Sequence, residues 1–294
     1  MAKLHFGTYH VTITNPDKLL FPDGITKGDL IEYYATIAPI MLPYLKDRAL
    51  MMHRFPDGIT GESFYQKDAS SYFPRWIKQA QVPKEGGYNN YVVCQNKATL
   101  VYLANQACIT PHVWLSRVDN LNYPDKMIFD LDPSSHDFQL VCHIALRLKE
   151  ILESVKLHPY AMTTGSHGIH VTVPLDRTCS FEEVKAFALQ CARRLLEKEP
   201  EHVTIEIRKD KRQGRVFIDT LRNQYGSTAV APYAVRAHPG APIATPLYWE
   251  ELLDKSLSSQ TYTIKNISSR LRQSPWKSFK RYAQRTGKVI RGGL

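Results

Sequence analysis

Asp130 and Asp132 stand two residues apart at the end of the apolar run Met127 to Leu131. In a strand, residues two apart face the same side, so the two carboxylates share a face while Phe129 and Leu131 point the other way into a core. Their Cα atoms would lie roughly 6–7 Å apart. Two unpaired charges at that spacing repel by roughly 2–3 kcal/mol at an effective dielectric near 20. A cation between or beside them removes that cost, and hard divalent metals take such oxygen ligands. The other reading is structural, with one Asp capping the next helix and the other pairing with a Lys. Val216-Phe217-Ile218-Asp219 is a second apolar run ending in an acid. A third carboxylate delivered this way fits a two-metal phosphoryl-transfer centre, where one metal activates the attacking oxygen and the other holds a triphosphate. Taken alone, Asp219 also reads as an ordinary acid in a turn at a strand end.

Between these runs lies Thr163-Thr164-Gly165-Ser166-His167-Gly168-Ile169-His170. Its glycines allow close backbone approach, and successive N–H groups can form an anion nest. It is neither a dinucleotide fingerprint nor a Walker loop, because no helix follows and no Gly-Lys-Ser/Thr is present. Alternation puts His170 and Thr172 opposite Ile169, Val171 and Val173, so His170 faces the polar side. His167 and His170 also have the spacing of a metal pair, but zinc needs three or four ligands and no partner motif is present. A structural histidine is the plainer reading. Arg208, Lys209, Lys211, Arg212 and Arg215 crowd the turn before the Asp219 strand. Such charges neutralise a triphosphate, as Arg236 would after its own short apolar run; singly, each is a solvated turn residue.

These side chains need a scaffold. Thr26 with Asp29 three residues on forms a helix start, and Leu30, Tyr33, Tyr34, Ile37, Ile40 and Met41 follow at helical spacing. Val11 to Ile13, Leu50 to Phe55 and Ser63 to Gln66 read as strands, and Leu100 to Cys108 as a helix. Then come strand Met127 to Leu131, helix Phe138 to Val155, strands Tyr160 to Thr163 and His170 to Val173, helix Phe181 to Glu199, and strands Val203 to Ile207 and Arg215 to Asp219. That order implies a sheet with helices packed on it. The polar stretch Asn120 to Asp125 is the expected seam between halves.

The formal charge of +10 is unevenly placed: residues 1–254 hold 28 Lys/Arg and 28 Asp/Glu, and residues 255–294 hold 10 Lys/Arg and no acid. This excludes a uniformly basic coat and suggests a polyanion as partner. A solvated tail would carry the same charge. No apolar run is long enough to span a membrane, and the N-terminus lacks a signal-peptide apolar region. Cys94, Cys108, Cys142, Cys179 and Cys191 are odd in number with no C-x-x-C, which argues against a disulfide framework and for the cytoplasm.

The ordered set Ile128-Phe129-Asp130-Leu131-Asp132-Pro133, Thr164-Gly165-Ser166-His167-Gly168-Ile169-His170, Val216-Phe217-Ile218-Asp219 and Ala231-Pro232-Tyr233-Ala234-Val235-Arg236 resembles the polymerase domain of bacterial ligase D, a branch of the archaeo-eukaryotic primase superfamily. Asn15-Pro16-Asp17-Lys18 and the 239–247 run are also similar to that family. The resemblance implies an α/β (α+β) primase-polymerase fold: an N-terminal α/β subdomain over 1–122, an RRM-like catalytic sheet with packed helices over 123–279, and a basic extension over 280–294. It implies template-dependent nucleotide addition, preferably of ribonucleotides, with Mn²⁺ or Mg²⁺ and NTP or dNTP substrates. The work implied is at gaps and double-strand breaks in non-homologous end joining.

On that resemblance Asp130, Asp132 and Asp219 are the catalytic, metal-binding acids. Thr164, Ser166, His167, His170, Arg212 and Arg236 hold the incoming nucleotide. Asn15, Lys18 and Lys27 grip a downstream 5′-phosphate, and Arg54, Phe64, Tyr65 and His112 meet DNA near the template. The implied partners are gapped or 3′-overhanging duplex DNA, a Ku-like end-binding protein and a separate ligase, in the cytoplasm at the nucleoid and without a membrane. The length leaves no room for a ligase or nuclease domain, so the expectation is a stand-alone form or an excised domain. The sequence departs from the family at His167, where Lys is frequent, at His238, where Arg is usual, and at Thr220-Leu221-Arg222-Asn223. The competing classes are a metal-dependent nuclease, a non-catalytic nucleic-acid-binding module and a glycosyltransferase reading of Asp-x-Asp.

Overall fold

The acid-bearing strand runs Lys126–Asp132 and is paired on both sides in a computed structural model that describes residues 3–135 and 137–294. Two compact units divide the chain and interleave along it. The first takes the chain up to Trp114, then Thr228–Ala244 and Tyr262–Arg272; the second takes Leu115–Ser227, Thr245–Thr261 and Gln273–Leu294. This differs from the contiguous 1–122 and 123–279 division expected. The reason is a long-range strand pairing: Thr228–Val230 returns to pair with Cys108–Trp114, Val230 opposite His112. The expected seam is itself the strand Asn120–Pro124, paired with Ser116–Arg117.

In the second unit the acidic strand pairs antiparallel with Ile169–Pro174 on one side and Val216–Asp219 on the other. Tyr160–Thr163 adds beyond Ile169–Pro174, and Pro246–Leu247 closes that edge. Helices Phe138–Ser154 and Phe181–Lys198 connect the strands, giving the split βαβ order read from the sequence. Each helix starts on a side-chain cap: Asp137 accepts from the Leu140 N–H, and Ser180 forms a capping box with Glu183. Val184, Phe187, Ala188, Cys191 and Leu195 fall at three- and four-residue steps and are buried, so this helix offers one apolar face. Val203–Thr204 differs from expectation: it is short and runs parallel to Val216–Asp219, with the basic segment between them as a 3₁₀ turn at Lys209–Lys211.

The basic C-terminal segment packs within this unit instead of extending from it. Trp276 Nε1 donates to the Ala161 carbonyl at 2.9 Å, and Thr286 Oγ1 accepts from the Asp176 N–H at 3.0 Å. Arg291 pairs with Glu183 at 2.9 Å and donates to the Thr178 carbonyl. A Cβ on Gly287 would lie 1.9 Å from Thr178 Oγ1, so only glycine allows this approach.

The first unit holds helix Lys27–Leu45, opened by the expected Thr26/Asp29 capping box. Its sheet runs in the order Thr228–Val230, Cys108–Trp114, Ala49–Arg54, Gly87–Val93, Gln79–Lys84, with Phe64–Gln66 also on Ala49–Arg54. The helix expected to reach Cys108 is Lys97–Asn105; Ala107 turns at φ 55°, and the apolar residues beyond it belong to a strand. Among the described residues no helix is long and apolar enough to cross a membrane.

Candidate functional site

Antiparallel pairing sets the candidate centre. Asp130 lies opposite both His170 and Asp219 on its two neighbouring strands, and Asp132 lies opposite Phe217. Directly opposed residues point to the same face. The register therefore puts Asp130, Asp132, Asp219, His170 and Phe217 on one side of the sheet, while Phe129 and Leu131 are fully buried on the other. Asp130 Oδ1 is 3.4 Å from His170 Nε2, and its Oδ2 accepts from Arg222 Nε at 3.1 Å. Arg222 Nε is also 3.6 Å from Asp219 Oδ2, so one guanidinium serves two acids. Asp219 Oδ1 accepts from the Leu221 N–H at 2.7 Å.

The three carboxyls differ electrostatically. Burial alone would raise Asp130, but the charge and hydrogen bond of His170, with Arg222, outweigh it and lower the carboxyl to about 2. Burial, then the Asp130 charge, pushes Asp132 up to about 6. Asp219 is also raised, chiefly by burial. Among the described residues no group of three His, Cys, Asp or Glu side chains already stands in a metal-holding arrangement. The donor set nonetheless suits a hard divalent cation: it is carboxylate oxygen only, and two of the three acids carry charge that their surroundings oppose. Asp130, Asp132 and Asp219 are the residues that could hold one.

The 164–168 hairpin adjoins these acids. A Cβ on Gly168 would lie 2.0 Å from the Leu131 carbonyl oxygen and 3.2 Å from Asp132 Oδ1, so the glycine brings the loop against the acidic strand. The expected anion nest is altered: the N–H groups of Ser166 and Gly168 turn inward onto Thr164 Oγ1 at 3.3 and 3.1 Å. Ser166 Oγ and His167 Nδ1 are 3.0 Å apart, and both residues line a recess of about 260 Å³ with Pro133, Phe138, Ser259 and Gln260. His170 is buried, and its Nδ1 has no hydrogen-bond partner among the described residues. Arg212 is buried on the Phe217 ring, 3.9 Å from guanidinium carbon to ring centre, and donates to the carbonyls of Glu206 and Ile207. Its charge is therefore fixed on the acid face by stacking and does not project as a free turn residue.

Arg236 belongs to the first unit, where its N–H donates to the Pro242 carbonyl. Burial, then the Arg236 charge, lowers the His53 imidazole to about 4. The remaining candidates of that unit form two groups. Around one sheet corner, Arg54 lies 5.4 Å from the Phe64 ring centre, His53 stacks on Tyr65 at 4.0 Å, and Tyr65 meets His112 edge-on at 5.9 Å. Phe64 and Tyr65 are 46% and 57% exposed, leaving ring surface for a base to stack on. The second group is the 15–28 segment. Backbone bonds Lys27 N–H to Lys18 O and Gly28 N–H to Pro16 O fold it on itself and bring Asn15, Lys18 and Lys27 together. Lys18 pairs with Asp57 at 2.7 Å, and Lys27 is buried with Nζ 3.2 Å from Thr14 Oγ1. Burial, then the Lys18 charge, lowers the Lys27 ammonium.

Several contributors went unread in the sequence. Arg222 stands three residues after Asp219, a spacing that was visible but carried no assigned role. Fully buried Asn223 accepts from the Ile128 N–H and donates to the Ile128 carbonyl, extending the pairing of the acidic strand beyond Asp219. Asp57, Ser259 and Gln260 act at long range and have no local signature.

A split βαβ sheet with carboxylates and a glycine hairpin at one end defines a class of sheet-built, acid-centred proteins. The family described as LigD, primase-polymerase domain, matches residues 26–276, and the chain belongs to it. It is 32% identical over 251 residues to the multifunctional non-homologous end joining protein LigD of Mycolicibacterium smegmatis, covering 84% of this chain and 33% of that protein. It is 31% identical over 263 residues to the bifunctional non-homologous end joining protein LigD of Bacillus subtilis, covering 88% and 42%. The chain thus spans 33% to 42% of the length of these relatives. The polymerase domain of Mycobacterium tuberculosis ligase D, solved in complex with DNA, matches with a TM-score of 0.84 and 28% identity, covering 97% of this chain and 99% of that one.

Proposed function

We propose that this protein adds nucleotides, preferably ribonucleotides, to a primer 3′-OH under template direction, at gaps and break ends during non-homologous end joining. The observation that carries the reading is the convergence of Asp130, Asp132 and Asp219 on one sheet face beside the Gly168 hairpin, in a chain of the LigD primase-polymerase family. Mn²⁺ or Mg²⁺ held by the three acids would supply the Lewis acidity that phosphoryl transfer needs. The chain's own groups do the rest. Thr164, Ser166, His167 and His170 border the position of the incoming NTP or dNTP, and Arg212 and Arg236 supply positive charge to its phosphates. Asn15, Lys18 and Lys27 receive a downstream 5′-phosphate, where a dianion would stabilise the buried Lys27 ammonium. Arg54, Phe64, Tyr65 and His112 meet the template side by stacking and charge. Partners in this reading are gapped or 3′-overhanging duplex DNA, a Ku-like end-binding protein and a separate ligase, in the cytoplasm at the nucleoid.

The test is a gapped duplex bearing a 5′-phosphate, incubated with Mn²⁺ or Mg²⁺ and either NTPs or dNTPs. Extension that is lost in Asp130→Ala and Asp132→Ala supports the reading. Shortening of the strand indicates a nuclease, and binding without either change indicates a module without catalysis; both overturn it.

A further inference from the structure

The short turn Leu221–Asn223 is fastened to the acidic strands on both of its flanks. Fully buried Asn223 accepts from the Ile128 N–H at 2.8 Å and donates to the carbonyls of Ile128 and Thr220 at 2.7 and 3.0 Å. On the other flank the Leu221 N–H donates to Asp219 Oδ1 at 2.7 Å. Residue 222 lies between these anchors, so its backbone cannot shift without breaking them. Its side chain is held differently. Arg222 Nε donates to Asp130 Oδ2 at 3.1 Å and stands 3.6 Å from Asp219 Oδ2, all three residues belonging to the second unit. The two carboxylates are secluded, 6% and 18% exposed, whereas the Arg222 side chain is 43% exposed. The guanidinium therefore joins two secluded acids and still has solvent to withdraw into.

Asp130 and Asp219 are directly opposed across a strand pair, where like charges destabilise. Arg222 relieves that repulsion, and so would a divalent ion bonded to the same oxygens at about 2.0–2.6 Å. Both together would set like charges within about 6 Å of each other. We propose that Arg222 is a positioning residue that acts as an internal counter-cation: it holds Asp130 and Asp219 together in register, and it withdraws toward solvent when a divalent cation binds those two acids. This rests on the metal centre of the polymerase reading and deepens it. The acids are kept ordered before the ion enters, at the cost of weaker binding of the ion. Only the side chain has to move, because Asn223 keeps the turn on the strand.

The experiment measures Mn²⁺ binding without DNA or nucleotide, by titration calorimetry and by melting temperature over a Mn²⁺ series, in wild type, Arg222→Gln, Arg222→Met and Arg222→Lys. Losing the charge should tighten Mn²⁺ binding roughly tenfold, the low end of what one charge within about 4–6 Å does to a carboxylate's binding equilibrium. Arg222→Lys keeps the charge and should stay within about twofold of wild type. In chelator both neutral variants should melt below wild type, and excess Mn²⁺ should close the gap, because an ion stabilises most where it binds most tightly. A purely structural side chain would leave the gap the same with and without the ion. That result overturns the proposal, as does Mn²⁺ affinity that is unchanged or weaker in the neutral variants. A readout on the wild-type chain covers the case of variants that do not fold. Exchange of the Arg222 Nε–H with water should be slow in chelator and roughly tenfold faster with Mg²⁺; unchanged exchange overturns the proposal too. Wild-type protein that binds the ion in this way yet adds no nucleotide sinks the polymerase reading alone.

Discussion

Gly168→Ala puts the closest approach in the candidate site under direct test. The new Cβ would begin 2.0 Å from the Leu131 carbonyl oxygen, where real Cβ contacts essentially never fall under 3.0 Å, so the loop or the acidic strand must move by about 1 Å. Leu131 is flanked by Asp130 and Asp132, and its strand pairs on both sides, so the strand resists and the loop yields. Overpacking of this size costs about 1–3 kcal/mol of stability. Its effect on turnover is larger, because a 1 Å displacement of a positioning element costs on the order of a hundredfold in rate. The assay is kcat/KM for a single nucleotide in gap filling, beside the melting temperature and the affinity for gapped DNA. A hundredfold fall with modest destabilisation and unchanged DNA affinity is expected. Turnover within about twofold of wild type would refute the idea that the loop must press on this strand.

Asp132→Asn should stabilise the protein in the presence of a chelator by on the order of 2 kcal/mol at neutral pH. The raised Asp132 carboxyl means that ionisation opposes folding: the penalty is absent below the ordinary carboxylate range, grows as pH rises to about 6, and is full above it. The gain in melting temperature should therefore grow from about pH 4 to about pH 6 and then level off; a pH-independent gain would contradict it. Asp57→Asn should strengthen binding of 5′-phosphorylated ends by up to about fivefold, since it removes an exposed pair worth at most about 1 kcal/mol that competes for Lys18. Lys18→Ala should weaken the same ends selectively, and equal loss on unphosphorylated ends would refute that pocket. Deleting 280–294 should lower both the salt dependence of DNA binding and the melting temperature, because buried Ile290 alone contributes about 1.5–3 kcal/mol. The buried Cys179 thiol, which donates to the Gly287 carbonyl, should then react with a thiol reagent.

The acid face was legible because period-two alternation is a local rule. Asp130, Asp132 and the burial of Phe129 and Leu131 follow from one run of residues. The Thr26/Asp29 and Ser180/Glu183 helix starts were equally local. The hairpin Gln79–Lys84 with Gly87–Val93 was not, since its polar residues give a weak alternation and only Gly86 and Gly87, both at positive φ, mark the turn. Arg212 was readable as a charge but not as a stacked one, because Phe217 meets it only after the chain has turned at Lys209–Lys211. The packed C-terminal segment was hidden for the opposite reason: its charges suggested solvent, while Trp276, Gly287 and Ile290 settle it in the second unit.

The return of Thr228–Val230 to Cys108–Trp114 bears on how the protein is born. The first unit's sheet lacks its last strand until the second unit's βαββαβ segment has been synthesised. Domains emerging from a ribosome generally fold in order, but here the earlier unit must wait for the later one, with an unpaired strand edge in the meantime. Cutting the chain at any single point between Leu115 and Ser227 would separate partners of the same sheet, so neither unit can be made as one uninterrupted fragment.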